Sequence, residues 1–405
     1  MDTLSSTDGT RFGCASVVLF HLPNDGKLHP LAIVLDYKSS MDVSVTIFNR
    51  RLSSADTSID EYNDWPWRYA KTCAQVSDWV RHEATVHLVY THFVEESIIV
   101  AAHRKLPPRH VVFKLLEPHW KVTLSVNALG RSVLVPDVIA NLVGMTPEQL
   151  YAFINDAYTN FNWSDFYISN DLARRGFPII DLDKPKYHNC MYARQISPMW
   201  DTIRKYVSSV LAAYYPAGDL QVAADNDIAN FCAEMRFSAG AGISGFPSAI
   251  KTVDELADMV TMCIHIASPQ HSAVNYLQQY YQVFVPNKPS ALYAPLPQTL
   301  QDLQRFTESD LLKALPILAQ RDWLLMAEVP YLLSFAATED QSLLTYAETA
   351  EKSKHVAFAT AGKALKEDLL RLSKEFTELS SQMDSNSENA YNVLQPTSTA
   401  NSIVI

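Results

Sequence analysis

Between residues 16 and 35 apolar and polar side chains alternate. Ser16-Val-Val-Leu-Phe-His and Pro30-Leu-Ala-Ile-Val-Leu flank the run Pro23-Asn-Asp-Gly-Lys. A period of two on either side of a Pro/Asn/Gly cluster predicts a β-hairpin, and residues 43–48 predict a further short strand. From Trp67 the period changes. Apolar residues recur three and four apart with few Gly or Pro, which predicts one long helix from Trp67 to Leu106, stopped by Pro107-Pro108. Further helices are expected over 124–134, 147–158, 163–175, 198–215 and 225–238, followed by a glycine-rich loop, Ser238-Ala-Gly-Ala-Gly-Ile-Ser-Gly. A helix over 253–283 should be broken at Pro269 and ended by Pro286, and helices over 298–320 and 346–381 complete the set. The fold class is therefore mainly α, with a small β-hairpin region near the N-terminus. The polar stretch 380–389 predicts disorder, yet the chain then ends on the apolar triplet Ile403-Val404-Ile405.

Composition narrows the function. With 48% hydrophobic and 19% charged residues, the chain can bury a substantial core. A net charge of −11 argues against nucleic acid as a partner, and no apolar run reaches the length of a membrane span. The start, MDTLSSTDGT, lacks the basic and apolar regions of a signal peptide, so a cytoplasmic location is expected for the chain as given, and secretion if a longer N-terminus exists. The five cysteines form no CxxC pair, which suggests neither a zinc ribbon nor a disulfide scaffold.

Histidine is unevenly placed: His82, His87, His92, His103, His110 and His119 fall within one stretch. His87 and His92 sit among Val86, Leu88, Val89, Phe93 and Val94, where an imidazole needs a polar partner, and a metal would serve both. Five residues of a regular α-helix separate two side chains by roughly 140° around the axis, too far for one ion. A π-bulge would bring them together. The HExxH pattern of a zinc hydrolase is missed by one residue in His82-Glu-Ala-Thr-Val-His87. His271-Ser-Ala-Val-Asn275 puts an imidazole and a carboxamide four apart on one helix face, just after Pro269. Nitrogen and oxygen donors without thiolate suit iron or manganese better than a structural zinc. For each residue alone, the plainer reading is a core or surface polar group.

Taken in order, these stretches resemble the lipoxygenase family. Tyr90-Thr-His92-Phe-Val-Glu-Glu-Ser-Ile-Ile, His103-Arg-Lys-Leu-Pro and His110-Val-Val-Phe-Lys-Leu-Leu-Glu-Pro-His119 resemble its central-helix signature. Ile266-Ala-Ser-Pro-Gln-His271-Ser-Ala-Val-Asn275-Tyr-Leu-Gln278 resembles its second ligand helix, and Asn401-Ser-Ile-Val-Ile405 its terminus. Phrases such as Tyr280-Tyr-Gln-Val-Phe-Val-Pro-Asn-Lys-Pro look closest to fungal members, some of which use manganese.

The resemblance implies a catalytic domain over residues 1–405, built around the long central helix, without the β-sandwich domain and the helical segment that members carry before these strands. It implies one iron or manganese ion held by His87, His92, His271, the weaker ligand Asn275 and the α-carboxylate of Ile405. No catalytic group beyond a metal-bound hydroxide is implied. Gln278 would link the metal to the substrate pocket, while Glu83 stands where some plant members have glutamine. Gly130 falls where Ala or Gly tracks the face that receives O2, and Lys288 where plant members place an arginine near the acyl carboxylate. The expected activity is insertion of O2 into a polyunsaturated fatty acid containing a cis,cis-1,4-pentadiene, such as linoleate, by a monomer. The alternative is a lipoxygenase-like protein that binds lipid or metal without turnover.

Overall fold

The computed structural model describes residues 4–384 and 391–405, so the second half of the stretch expected to be disordered lies outside the described residues. Its first residues are ordered, because a helix runs from Val356 to Ser381. The chain divides into two compact units. The first comprises Met1–Val86, Leu129–Asn155 and Leu277–Phe335, and the second His87–Ala128, Asp156–Tyr276 and Ala336–Ile405.

In the first unit the expected hairpin is part of a three-stranded antiparallel sheet, β1 (Val17–His21), β2 (His29–Val34) and β3 (Thr46–Phe48), in that order. Gly26 supplies the positive φ of 73° in the turn between β1 and β2. One face of β2 places Ile33 in an apolar core with Leu35, Trp67, Tyr69, Cys73 and Val76. Tyr69 meets Phe306 edge-on at 4.7 Å between ring centres. The single helix expected over 298–320 is instead Leu300–Leu303, Glu308–Ala314 and Gln320–Leu333. Thr307 starts the second with a reciprocal capping box, a local interaction that competes with continuous helix.

The long helix of the sequence reading is present from Trp65 to Lys105, but its hydrogen bonding changes along the way. It is α over Trp65–Val80, π over Arg81–Phe93 and α again over Val94–Lys105. Asp64 caps its start by accepting from the Trp67 N–H. It ends where Leu106 turns extended, at φ −105° and ψ 122°, as a residue before proline must. The Val94–Lys105 segment packs on Asn226–Arg236 in the second unit.

The core of the second unit is a set of packed helices. Met191–Tyr214 lies against both Val253–His265 and Val356–Ser381. Met191–Tyr214 begins seven residues before Pro198, which sits inside it, so the proline does not start the helix as the sequence suggests. The helix expected over 346–381 is two, Leu343–Glu351 and Val356–Ser381. They approach so closely that a Cβ on Gly362 would come within 2.5 Å of the Glu351 nitrogen. Among the described residues, no single helix is long and apolar enough to cross a membrane.

Val253–His265 continues through a π turn, Ile266–Gln270, into His271–Asn275. Pro269 lies in that turn. Proline lacks the N–H for the ladder and crowds the carbonyl four residues earlier, and the wider turn relieves both, so the helix bends on without stopping. At its start, Thr252 and Glu255 form a capping box: Thr252 Oγ1 accepts from the Glu255 N–H at 3.0 Å and Glu255 Oε2 from the Thr252 N–H at 3.2 Å. Thr252→Ala should lower stability by about 1 kcal/mol, measured by urea unfolding, and leave the far end of the helix intact. A variant as stable as the parent would show that this cap adds nothing.

Candidate metal centre

The π stretch solves the spacing problem of His87 and His92. With i→i+5 hydrogen bonds, residues five apart stack on one face, and the two Nε2 atoms stand 3.2 Å apart. The sequence reading expected a local bulge; the structure has a π segment of 13 residues. His271 completes a triangle, with ring centres 5.4 Å from His87 and 5.0 Å from His92. One nitrogen from each lies within 4.8 Å of the others, and all three residues are buried. Thr91 Oγ1 donates to the His87 carbonyl, satisfying an acceptor inside the widened helix.

The protonation of His92 is fixed by Asn127. Asn127 Nδ2 donates to the His92 carbonyl at 2.8 Å and to Glu96 Oε2 at 2.9 Å. Its Oδ1 therefore faces His92 Nδ1, at 2.8 Å. An amide oxygen only accepts, so Nδ1 carries the proton and Nε2 presents a lone pair toward the other two rings. Sequence reasoning missed this role of Asn127. The available signal was an amide on an otherwise apolar helix face, Leu124 to Leu129, and it was too weak to separate from a cap.

His271 is fully buried and no side chain satisfies its ring nitrogens; the backbone of Ile405 is what approaches the ring as a hydrogen-bond partner. Burial, then the neighbouring His92 and His87, drive its pKa well below the ordinary histidine value, against a smaller opposing effect of the Ile405 backbone. A neutral imidazole with an unsatisfied nitrogen in a dry site costs roughly 1–3 kcal/mol. A cation accepting its lone pair together with those of His87 and His92 removes that cost. The residues thus fit a metal, and the donor set is nitrogen and oxygen without sulfur. Asn275, one turn beyond His271, is fully buried.

The tail threads inward, as its apolar end suggests. Ala400 to Ile403 are buried, and the backbone of Ile405 reaches the surroundings of His271. His119 donates from Nδ1 to the Asn401 carbonyl at 2.7 Å, and Asn401 Nδ2 donates to the Pro118 carbonyl at 2.8 Å. Burial lowers the pKa of His119 to about 4, so it holds the tail as a neutral donor.

Four other residues named from the sequence lie in the first unit. Gln278 opens a short helix and is buried. Glu83 accepts from Gln282 Nε2 at 2.9 Å and pairs with His82 Nδ1 at 2.9 Å, so the carboxylate that replaces glutamine has amide and imidazole partners. The Lys288 ammonium pairs with Asp78 at 2.5 Å, and an acyl carboxylate would have to displace that partner. A Cβ placed on Gly130 would meet no atom within 4 Å. Close helix packing is therefore not what this glycine serves.

A second group, His110, Asp225 and Asp227, also clusters within 4.8 Å. There, however, His110 Nδ1 accepts from the Val112 N–H and its Nε2 donates to Asp225, which leaves no lone pair for an ion.

With this geometry in hand, comparison with known proteins is unambiguous about ancestry. The lipoxygenase family profile matches residues 2–395. The chain belongs to the lipoxygenase family. It is 55% identical to a manganese lipoxygenase of Pleurotus sapidus over its whole length, which is 63% of that protein. It is 31% identical to a human hydroperoxide isomerase, covering 71% of this chain and 38% of that one. The crystal structure of a Fusarium graminearum lipoxygenase superposes with a TM-score of 0.93 at 46% identity, over 98% of this chain and 66% of the other. The chain thus spans less than two thirds of the length of these relatives.

Two outcomes follow from the site. Asn127→Leu should keep the fold but lower metal affinity about 10–100-fold, read by chelator competition; unchanged affinity would show that another group fixes the His92 tautomer. The second concerns Glu95, which is fully buried. Burial pushes its carboxyl up to about 8, against a 2.8 Å hydrogen bond from Trp120 Nε1. Between the unfolded value of 4.5 and about 8 the folded chain holds a proton that the unfolded chain has released, so this group costs stability as pH rises. Glu95→Gln should therefore gain on the parent by about 1.4 kcal/mol per pH unit across that window, measured as unfolding free energy against pH. A constant difference between the two proteins would mean that Glu95 is ionised when folded.

Proposed function

We propose that this chain carries the catalytic centre of a metal-dependent dioxygenase that adds O2 to polyunsaturated fatty acids. The observation that carries the reading is the convergence of three buried imidazoles in a chain of lipoxygenase ancestry. His87, His92 and His271 would hold the ion, with Asn275 as a weaker ligand and the terminal carboxylate of Ile405 as the anionic one. A redox-active iron or manganese bound there supplies one-electron chemistry at the carbon between two double bonds.

The remaining work falls to the chain. Asn127 keeps the Nε2 of His92 unprotonated, burial excludes water from the three rings, and the inward-threaded tail brings a negative charge that offsets the cation. Manganese is the first ion to test, because the relative at 55% identity is a manganese lipoxygenase. Gln278 is proposed to communicate between the centre and the substrate. Linoleate is the natural first substrate, since it has a single 1,4-pentadiene.

Incubation of purified, manganese-loaded protein with linoleate should raise conjugated-diene absorbance. His87→Ala, His92→Ala and His271→Ala should each lose the metal by elemental analysis. One residue added after Ile405 moves the carboxylate by roughly 3.5 Å and should do likewise. Full metal occupancy in all of these variants would sink the assignment. The human isomerase relative favours a second reading, conversion of fatty-acid hydroperoxides; consumption of a hydroperoxide with no diene formation from linoleate would select it. Metal uptake with neither activity would leave a lipid- or metal-binding lipoxygenase-like protein.

Gly130 has open space where an alanine methyl would stand, and O2 is proposed to reach the substrate radical through such a space. Mainly R-configured hydroperoxide is expected, with Gly130→Ala shifting product toward S or toward another carbon. Chiral chromatography decides it: S product from the parent, unchanged by the alanine, would remove Gly130 from stereocontrol.

A further inference from the structure

The chain end faces a positional problem that the ligand assignment leaves open. An extended segment advances about 3.3 Å per residue, and a slip of one residue also turns every side chain to the opposite face. If the Ile405 carboxylate is to reach the same place as His271, something must set the register of the tail against the helix bearing that histidine.

The hydrogen bonds of the tail alternate in the manner of a strand. On one edge it pairs with backbone: the Leu343 N–H donates to the Thr399 carbonyl at 2.8 Å, and the Asn401 N–H donates to the Gln341 carbonyl at 2.7 Å. Ala400 points to the other edge, and there the partners are two hydroxyls. Ser268 Oγ donates to the Ala400 carbonyl at 2.6 Å, and the Ala400 N–H donates to Ser272 Oγ at 2.9 Å. Both serines are fully buried. They are four apart on the same run of helix as His271, three residues before it and one after.

We infer that Ser268 and Ser272 are positioning residues that clamp Ala400 and so fix the register of the tail relative to His271. Two hydroxyls on one helix face stand in for a neighbouring strand, offering one donor and one acceptor at the spacing of a residue's own carbonyl and N–H. A slip of one residue turns that edge of the tail away and takes both hydroxyls off these backbone partners. Backbone pairing with residues 341–343 holds the tail to a different segment. The serine pair ties it to the helix that carries the histidine. The inference rests on the metal-site reading for its consequence, but the clamp itself is a matter of hydrogen bonds.

The test uses Ser268→Ala, Ser272→Ala and the double variant, with Ser290→Ala as a control. Ser290 is likewise fully buried and donates to a backbone carbonyl, that of Leu142, at 2.7 Å. Hydrogen exchange of the metal-free proteins reads the clamp directly. Exchange of the tail amides around Ala400 should accelerate about tenfold per serine lost, while exchange in the core of Val356–Ser381 stays as in the parent. In manganese-loaded protein, release to a chelator should accelerate in the same order, and the manganese resonance spectrum should broaden. Ser272→Thr, which keeps the hydroxyl, should restore slow release.

Unchanged tail exchange in the double variant overturns the clamp. Faster release in Ser290→Ala equal to that in the double variant overturns it too, by assigning the effect to general destabilisation. Failure of the parent to take up manganese would defeat the metal-site reading alone, and the exchange of the metal-free proteins would still decide the clamp.

Discussion

Three buried imidazoles converge within the second unit, and the helices that carry them are shaped around that convergence. A regular α-helix cannot bring residues 87 and 92 to one side, and a buried imidazole with an unsatisfied nitrogen, as in His271, is costly away from water. The π segment of the central helix and the π turn before His271 are two answers to the same constraint. Each adds width where a ligand must be re-aimed, and each sits within a longer helix whose regular ends are buried and well packed.

The groups behind the histidines matter as much as the histidines. Asn127 uses both ends of its amide, and only that double commitment removes the ambiguity over which His92 nitrogen carries the proton. His119, Ser268 and Ser272 play the corresponding part for the tail, donating to or accepting from its backbone where a sheet would otherwise be needed. These polar contacts in an apolar surround are how the chain fixes the geometry of the histidine cluster and of the tail.

How much of this could be read from residues alone varies by element. The long helix, its proline stop and the hairpin follow from period and breakers, which act locally. His271 and Asn275 were visible as a pair because four residues on a helix is a fixed geometry. The single helix expected over 298–320 is divided because Thr307 starts a new helix at Glu308 inside that run. Pro198 misled in the opposite sense, since packing on both sides keeps Met191–Tyr214 helical through it.

The sequence by itself determined the mainly helical class, the lipoxygenase likeness, the histidine ligand candidates and the apolar character of the chain end, because each is written in local spacing or in residue type. Only the tertiary structure decided that the five-residue spacing is met by an extended π segment, that Asn127 sets the tautomer of His92, that Lys288 is held by Asp78, and that Gly130 borders open space. Those outcomes depend on atoms brought together from distant parts of the chain. A hydrogen bond between residues 92 and 127, or between 268 and 400, leaves no period in the sequence, since neither partner constrains the residues beside the other.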